Sequence, residues 1–127
     1  MKKNSSLVLI TQTALESALE AARNVFPDEF IGLLRENKKR VLSELIIAPF
    51  SEYGRDFSGF SDWHLPLDSS IKASFHSHPG WSNQPSKQDL LFFSKTFEHH
   101  FIACLPYKPE SVACYDNNGS KTKFEMI

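Results

Sequence analysis

The chain has 127 residues, 41% of them hydrophobic, with 14 basic against 15 acidic side chains and a formal net charge of −1. This length predicts a single domain over residues 1–127, with a core rich in rings because 11 residues are Phe. The near-neutral charge excludes a broad basic field for nucleic acid or an anionic membrane, and nothing in the sequence approaches the roughly 20 apolar residues of a spanning helix.

Residues 1–6 precede a short apolar tract, 7–10, which lacks the length and cleavage site of a secretion signal. This predicts a cytoplasmic protein, with 7–10 as an extra strand or extended arm. Ala14, Leu15, Ala18, Leu19, Ala22, Val25 and Phe26 then recur at helical spacing, with Glu16, Glu20 and Arg23 opposite. A packing helix is expected over 13–25, capped by Thr11 or Thr13 and ended before Pro27. Residues 30–35 read as a buried strand, 36–40 as a polar turn and 41–49 as the returning strand. The stretch 50–66 holds Tyr53, Phe57, Phe60 and Trp63 among Gly, Ser and Asp, and predicts a loop followed by a strand around 57–64. His64 is expected to be a polar strand residue rather than a ligand.

A turn at 68–70 leads to a central strand over 71–76. A second helix is expected from Ser86 to about Glu98, with Leu90, Leu91, Phe93, Ser94 and Phe97 on its inner side. His99 and His100 would close it, where the helix dipole favours histidine, and are not read as ligands. A strand at 101–105, a loop at 106–111, a strand at 112–115, the turn Asp116-Asn117-Asn118-Gly119 and a last strand over 121–126 would close the sheet. Cys104 and Cys114 fall in two of these strands as buried core material, their pairing left open. Their ten-residue spacing, without histidine partners, argues against a second metal site. Interleaved strands and helices predict an α/β fold of three layers: a curved, mixed β-sheet with the two main helices packed against it.

The chemistry concentrates between His76 and Asp89. His76-Ser77-His78-Pro79 is followed by six residues and then Ser86-Lys87-Gln88-Asp89. Residues two apart on a strand share a side, so both imidazoles can address one point. Pro79 ends the ladder, the next residues have turn chemistry, and Asp89 sits one turn inside a helix that Ser86 opens. Two nitrogens and one oxygen make a three-ligand set with an open fourth position, the arrangement of a catalytic zinc. Taken alone, each half has an ordinary reading: His-x-His as surface or hydrogen-bonded histidines, Ser-x-x-Asp as a capping box. Joined at this spacing, they favour a metal site.

The joint pattern resembles the JAMM/MPN+ family of zinc-dependent isopeptidases, in its compact prokaryotic form. Residues 27–34, read as Pro27-x-Glu29-x-x-Gly32-x-Leu34, are similar to the upstream glutamate pattern of that family. The resemblance implies a fold similar to cytidine deaminases and one Zn2+ per chain, held by His76, His78 and Asp89. It also implies Glu29 on a strand as the proton-transferring base and Ser86 as a donor to the oxyanion. The implied partner is a ubiquitin-like modifier, cut after its Gly-Gly tail, and Trp81 would border the groove. The chain lacks the insertions of linkage-selective eukaryotic members. That points to a prokaryotic modifier, or to C-terminal processing of a ubiquitin-like sulfur carrier. A non-catalytic MPN scaffold is the competing reading, marked elsewhere by loss of these ligands. Zinc deaminases use His-x-Glu and Pro-Cys-x-x-Cys, neither of which occurs here. Oligomeric state is not legible from the sequence.

Overall fold

The computed structural model describes residues 7–47 and 69–127. In order these form β1 (Val8–Ile10), α1 (Gln12–Val25), β2 (Ile31–Glu36), β3 (Leu42–Ile46), β4 (Ile71–Ser77), α2 (Lys87–Lys95), β5 (His99–Ala103), a 3-10 turn (Pro109–Ser111), β6 (Val112–Asp116), β7 (Lys121–Thr122) and β8 (Phe124–Met126). The strands make one sheet in the order β7-β6-β5-β4-β2-β3-β1-β8. β4 runs parallel to β5 and antiparallel to β2, so the sheet is mixed.

β7 and β8 lie at opposite ends of that order, yet only Lys123 separates them. The sheet is therefore rolled until its two edges nearly meet, and Val8 N–H donates to the Lys123 carbonyl at 3.1 Å. The stretch 121–126 does close the sheet. It does so as two short strands, because its halves bond to different edges.

Side-chain alternation then assigns the two faces. The inner face presents Ala73 and Phe75 of β4, Phe101 and Ala103 of β5, and Val112 and Cys114 of β6 to α1. The helix answers with Ala14, Leu15, Ala18, Leu19 and Ala22, whose small members let its backbone sit close. Thr11 caps it, its Oγ1 accepting from the Ala14 N–H at 3.1 Å. The outer face presents Ile31, Leu33, Ile102, Ala113 and Tyr115 to Phe92 and Phe93 of α2. Sheet and helices thus form the expected layers.

Several expectations need correction. β2 begins at Ile31, so Glu29 lies just before the strand rather than on it. α2 ends at Lys95, and β5 begins at His99, so the histidine pair enters the sheet instead of closing the helix. Thr96 stops the helix by donating its hydroxyl to the Phe92 carbonyl at 2.7 Å. The inner side of α2 is Asp89, Phe92 and Phe93, while Leu90 and Leu91 are 40% and 57% exposed. Cys104 lies just beyond β5, and both thiols are free and buried. The end of the expected strand at 48–49, the loop and strand expected over 50–66, and His64 with them, fall outside the described residues.

Candidate metal centre

β4 delivers both histidines. His76 stands opposite Ile31 in the β2 ladder and opposite Ile102 in the β5 ladder, on the outer face, and is fully buried. His78 follows the last strand residue, and its N–H still bonds the Ala103 carbonyl at 2.8 Å. The two rings lie 5.2 Å apart between centroids, tilted by 51°. The third group comes from the first turn of α2. Ser86 Oγ accepts from the Asp89 N–H at 3.0 Å, and the Asp89 carboxylate accepts from the Ser86 N–H at 2.9 Å. This reciprocal box fixes the carboxylate in one orientation. Both readings of Ser-x-x-Asp therefore hold together.

The donor atoms converge. His76 Nε2 is 3.2 Å from Asp89 Oδ1, and His78 Nε2 is 3.1 Å from Asp89 Oδ2. Among the described residues, these three form a group whose ligand atoms all lie within 4.8 Å of one another. Ligands held about 2.0–2.1 Å from a tetrahedral zinc stand about 3.3 Å apart, so the spacing suits that ion. The tautomer of His78 strengthens the fit. Its Nδ1 lies 3.1 Å from the Ser82 carbonyl, which can only accept, so Nδ1 carries the proton. In the neutral ring Nε2 is then a lone pair facing a carboxylate oxygen. A metal ion between those two acceptors, or a second proton on the ring, satisfies both.

The electrostatics agree. Burial drives the Asp89 carboxyl up, but hydrogen bonds and charge from His76 and His78 outweigh it and hold the group well below the usual carboxylate range. Burial lowers His78, and its hydrogen bonds to Asp89 and Ser82 more than reverse this. Glu29 is half-buried, and burial raises its carboxyl above the ordinary value, partly opposed by His76 and His78. Glu29 thus feels both imidazoles and Asp89 while standing outside the ligand group.

Gly32 explains part of the upstream pattern. A Cβ there would come within 2.9 Å of the Phe30 ring and 3.0 Å of Leu45. The missing side chain leaves room for the Phe30 ring to lie against Gly32 in β2.

Other residues shape the site without any signal in the motif. Tyr115 Oη donates to the Asn83 carbonyl at 2.8 Å, Asn83 Nδ2 donates to the Ser111 carbonyl at 3.0 Å, and Leu105 N–H donates to the Gly80 carbonyl at 2.9 Å. These bonds fasten the loop between His78 and Ser86, on which Trp81 is 77% exposed. His100 is a satisfied core histidine. Its Nε2–H donates to the Phe97 carbonyl at 3.0 Å, its Nδ1 pairs with the Ser74 hydroxyl at 2.7 Å, and its ring stacks on Phe93 at 4.2 Å.

Comparison with known proteins agrees with this geometry. The family model for prokaryotic homologs of the JAB domain matches residues 11–116. A probable metalloprotease of Haloferax volcanii is 28% identical over 134 residues, covering 98% of this chain and 83% of that protein. A JAB1/MPN domain protein from Archaeoglobus fulgidus superposes with a TM-score of 0.77 at 35% identity, covering 94% of this chain and 99% of that one. A structure described as JAMM, a metalloprotease-like zinc site in the proteasome and signalosome, gives 0.74 at 33% identity, covering 96% and 99%. A Desulfitobacterium hafniense protein at 17% identity and a TM-score of 0.59, covering 95% and 93%, shares the fold. With ligands that fit one zinc ion and a match across most of its length, the chain belongs to the prokaryotic JAB family of JAMM-type metalloprotease domains.

Proposed function

We propose that the protein is a zinc-dependent isopeptidase that cuts after the Gly-Gly tail of a ubiquitin-like modifier, at an isopeptide bond to lysine or at a C-terminal peptide bond. The observation that supports it most directly is the pairing of a three-ligand set with a half-buried carboxylate, Glu29, outside that set. When bound, zinc polarises a carbonyl as a Lewis acid and lowers the pKa of water from about 15.7 toward about 7. His76, His78 and Asp89 hold it, and the Ser86–Asp89 box keeps the carboxylate from turning away. Glu29 takes a proton from water and returns it to the leaving amine, a task suited to a carboxyl raised by burial. Ser86 Oγ spends its lone pair on the Asp89 N–H, which leaves its O–H proton for the negative charge developing on the scissile oxygen. Trp81, presented on a fastened loop, would border the groove for the modifier tail. The protein would act as a single cytoplasmic domain on a protein substrate.

The test is a ubiquitin-like protein joined through Gly-Gly to a lysine peptide, with a linear fusion as the second substrate. Wild type should cleave at least one of them. Glu29→Gln should lower kcat by about 10²–10⁴-fold while keeping one zinc per chain. A Glu29→Gln variant as active as wild type would remove the assigned base. A zinc-loaded wild type that cuts neither substrate would favour a scaffold.

A further inference from the structure

The β2–β4 ladder ends on an irregular rung. Ile31 stands opposite His76, so the next residues in register are Phe30 and Ser77. A regular antiparallel pair at this point exchanges two bonds between main chains. Here Ser77 N–H donates to the Phe30 carbonyl at 3.0 Å, but Phe30 N–H donates to the side-chain oxygen of Ser77, Oγ, at 2.9 Å. A hydroxyl thus receives the amide proton that a strand carbonyl would otherwise take. Ser77 is fully buried and Phe30 is 4% exposed, so water does not stand in as a partner.

The place of this bond in the chain gives it weight. Ser77 lies between the ligands His76 and His78, with its side chain on the opposite face of the strand. Phe30 directly follows Glu29. Behind Glu29 the chain is tied to the end of α1, where Asp28 N–H donates to the Val25 carbonyl at 2.8 Å. Ahead of it, the Phe30 ring packs against Phe75 at 6.4 Å. The rung at Phe30 is where the segment carrying Glu29 joins the ligand strand. Each ligand, by contrast, has support of its own. His76 sits inside the ladders with β2 and β5. His78 N–H donates to the Ala103 carbonyl at 2.8 Å, and the His78 carbonyl accepts from Tyr107 Oη at 2.8 Å. Asp89 is held by its reciprocal bonds with Ser86. None of these bonds uses the Ser77 hydroxyl.

We propose that Ser77 is a positioning residue for Glu29: its hydroxyl holds the Phe30 amide and so sets where the Glu29 carboxyl stands relative to the two histidines that flank Ser77. Ser77 acts only through Phe30 and Glu29. Its effect on turnover rests on the function proposed above, whereas its hold on the Glu29 segment does not. Without the hydroxyl, the Phe30 amide is left inside the protein with no acceptor, and the segment must shift to find one. A displacement of about 1 Å at a group that positions or moves a proton can slow a reaction about 100-fold.

The experiment compares wild type, Ser77→Ala and Ser77→Thr as zinc-loaded full chains. Amide hydrogen exchange by NMR reads the hold on the segment. In Ser77→Ala the Glu29 and Phe30 amides should exchange at least about 10-fold faster, while Leu33, deeper in β2, stays within about twofold. Competition with a chromophoric chelator should find zinc affinity within about threefold of wild type. On the substrates named above, kcat should fall about 10- to 100-fold and KM stay within about twofold. Ser77→Thr keeps the hydroxyl and should come within about threefold of wild type in each measurement. If Ser77→Ala does not fold, Ser77→Cys decides in its place, since it keeps the size and replaces the hydroxyl with a weak acceptor. Exchange at Phe30 within twofold of wild type overturns the proposal. So does a zinc affinity that falls as far as kcat, which would make Ser77 a support of the metal ligands, and so does a folded Ser77→Thr as impaired as Ser77→Ala. A wild type that cuts neither substrate would sink the isopeptidase reading alone, because the exchange and zinc measurements need no substrate.

Discussion

His100 supplies a pH dependence whose size follows from its surroundings. It is fully buried, stacked on Phe93, and both ring nitrogens are committed: Nε2–H to the Phe97 carbonyl and Nδ1 to the Ser74 hydroxyl. Burial pushes its pKa down from 6.5 to about 3. A histidine depressed in the folded state contributes stability that is present above 6.5 and lost as pH falls toward 3, because the unfolded chain takes up the proton first. Each pH unit inside that window removes up to about 1.4 kcal/mol, so the loss from pH 7 to pH 5 should be about 2 kcal/mol. His99 shifts in the same direction, while Glu29 and His78 are raised and act oppositely. Comparing variants removes these common contributions. Urea unfolding with a chelator present, at pH 7 and pH 5, should show wild type losing about 2 kcal/mol more than His100→Gln. A gap between the two proteins that stays within about 0.5 kcal/mol across that range would refute the argument, as would a His100 ring seen by NMR to be protonated at pH 5.

Two further outcomes follow from single contacts. Asp89→Asn leaves the helix cap largely able to form but removes the only negative charge among the three ligands, and should weaken zinc binding at least about 100-fold in a chelator titration. Gly32→Ala puts a methyl against the Phe30 ring and Leu45, and should lower unfolding free energy by about 1–3 kcal/mol in denaturant titrations.

The metal ligands were legible because a strand's period of two and a capping box both act over a few residues. His76, His78 and Asp89 needed no long-range information beyond the turn between them. Glu29 was legible only by resemblance. The sequence shows no reason for β2 to start at Ile31, which depends on Ser77 accepting the Phe30 amide proton from across the ladder. His99 and His100 looked like helix-end residues because their polarity hid their burial. What makes His100 a core residue is Ser74 on a neighbouring strand and the Phe97 carbonyl, neither of which leaves a local trace. Tyr107 was read as part of a polar loop for the same reason. Its partners Arg23 and His78 lie 84 and 29 residues away in the chain.

The misread face of α2 carries the most information. Residues 89–97 contain two competing stripes. Leu90, Leu91 and Ser94 are one of them, and Asp89, Phe92 and Phe93 are the other; Phe93 was expected inside and is, and Phe97, beyond the helix end, packs against the same core. Hydrophobicity alone favours the first, since the second begins with a carboxylate. The structure takes the second, leaving Leu91 57% exposed and Leu90 resting partly on Gly119 of the β6–β7 turn. Full burial of a leucine is worth about 1.5–3 kcal/mol, but turning the helix to gain it would expose Phe92 and Phe93, whose burial is worth about as much each. That rotation would carry Asp89 out of reach of His76 and His78. In this phase the inward carboxylate accepts from the Ser86 amide and meets both imidazoles. Two phenylalanines and an acid thus share the inner face, and the polar member among them is what a hydrophobic stripe alone does not predict.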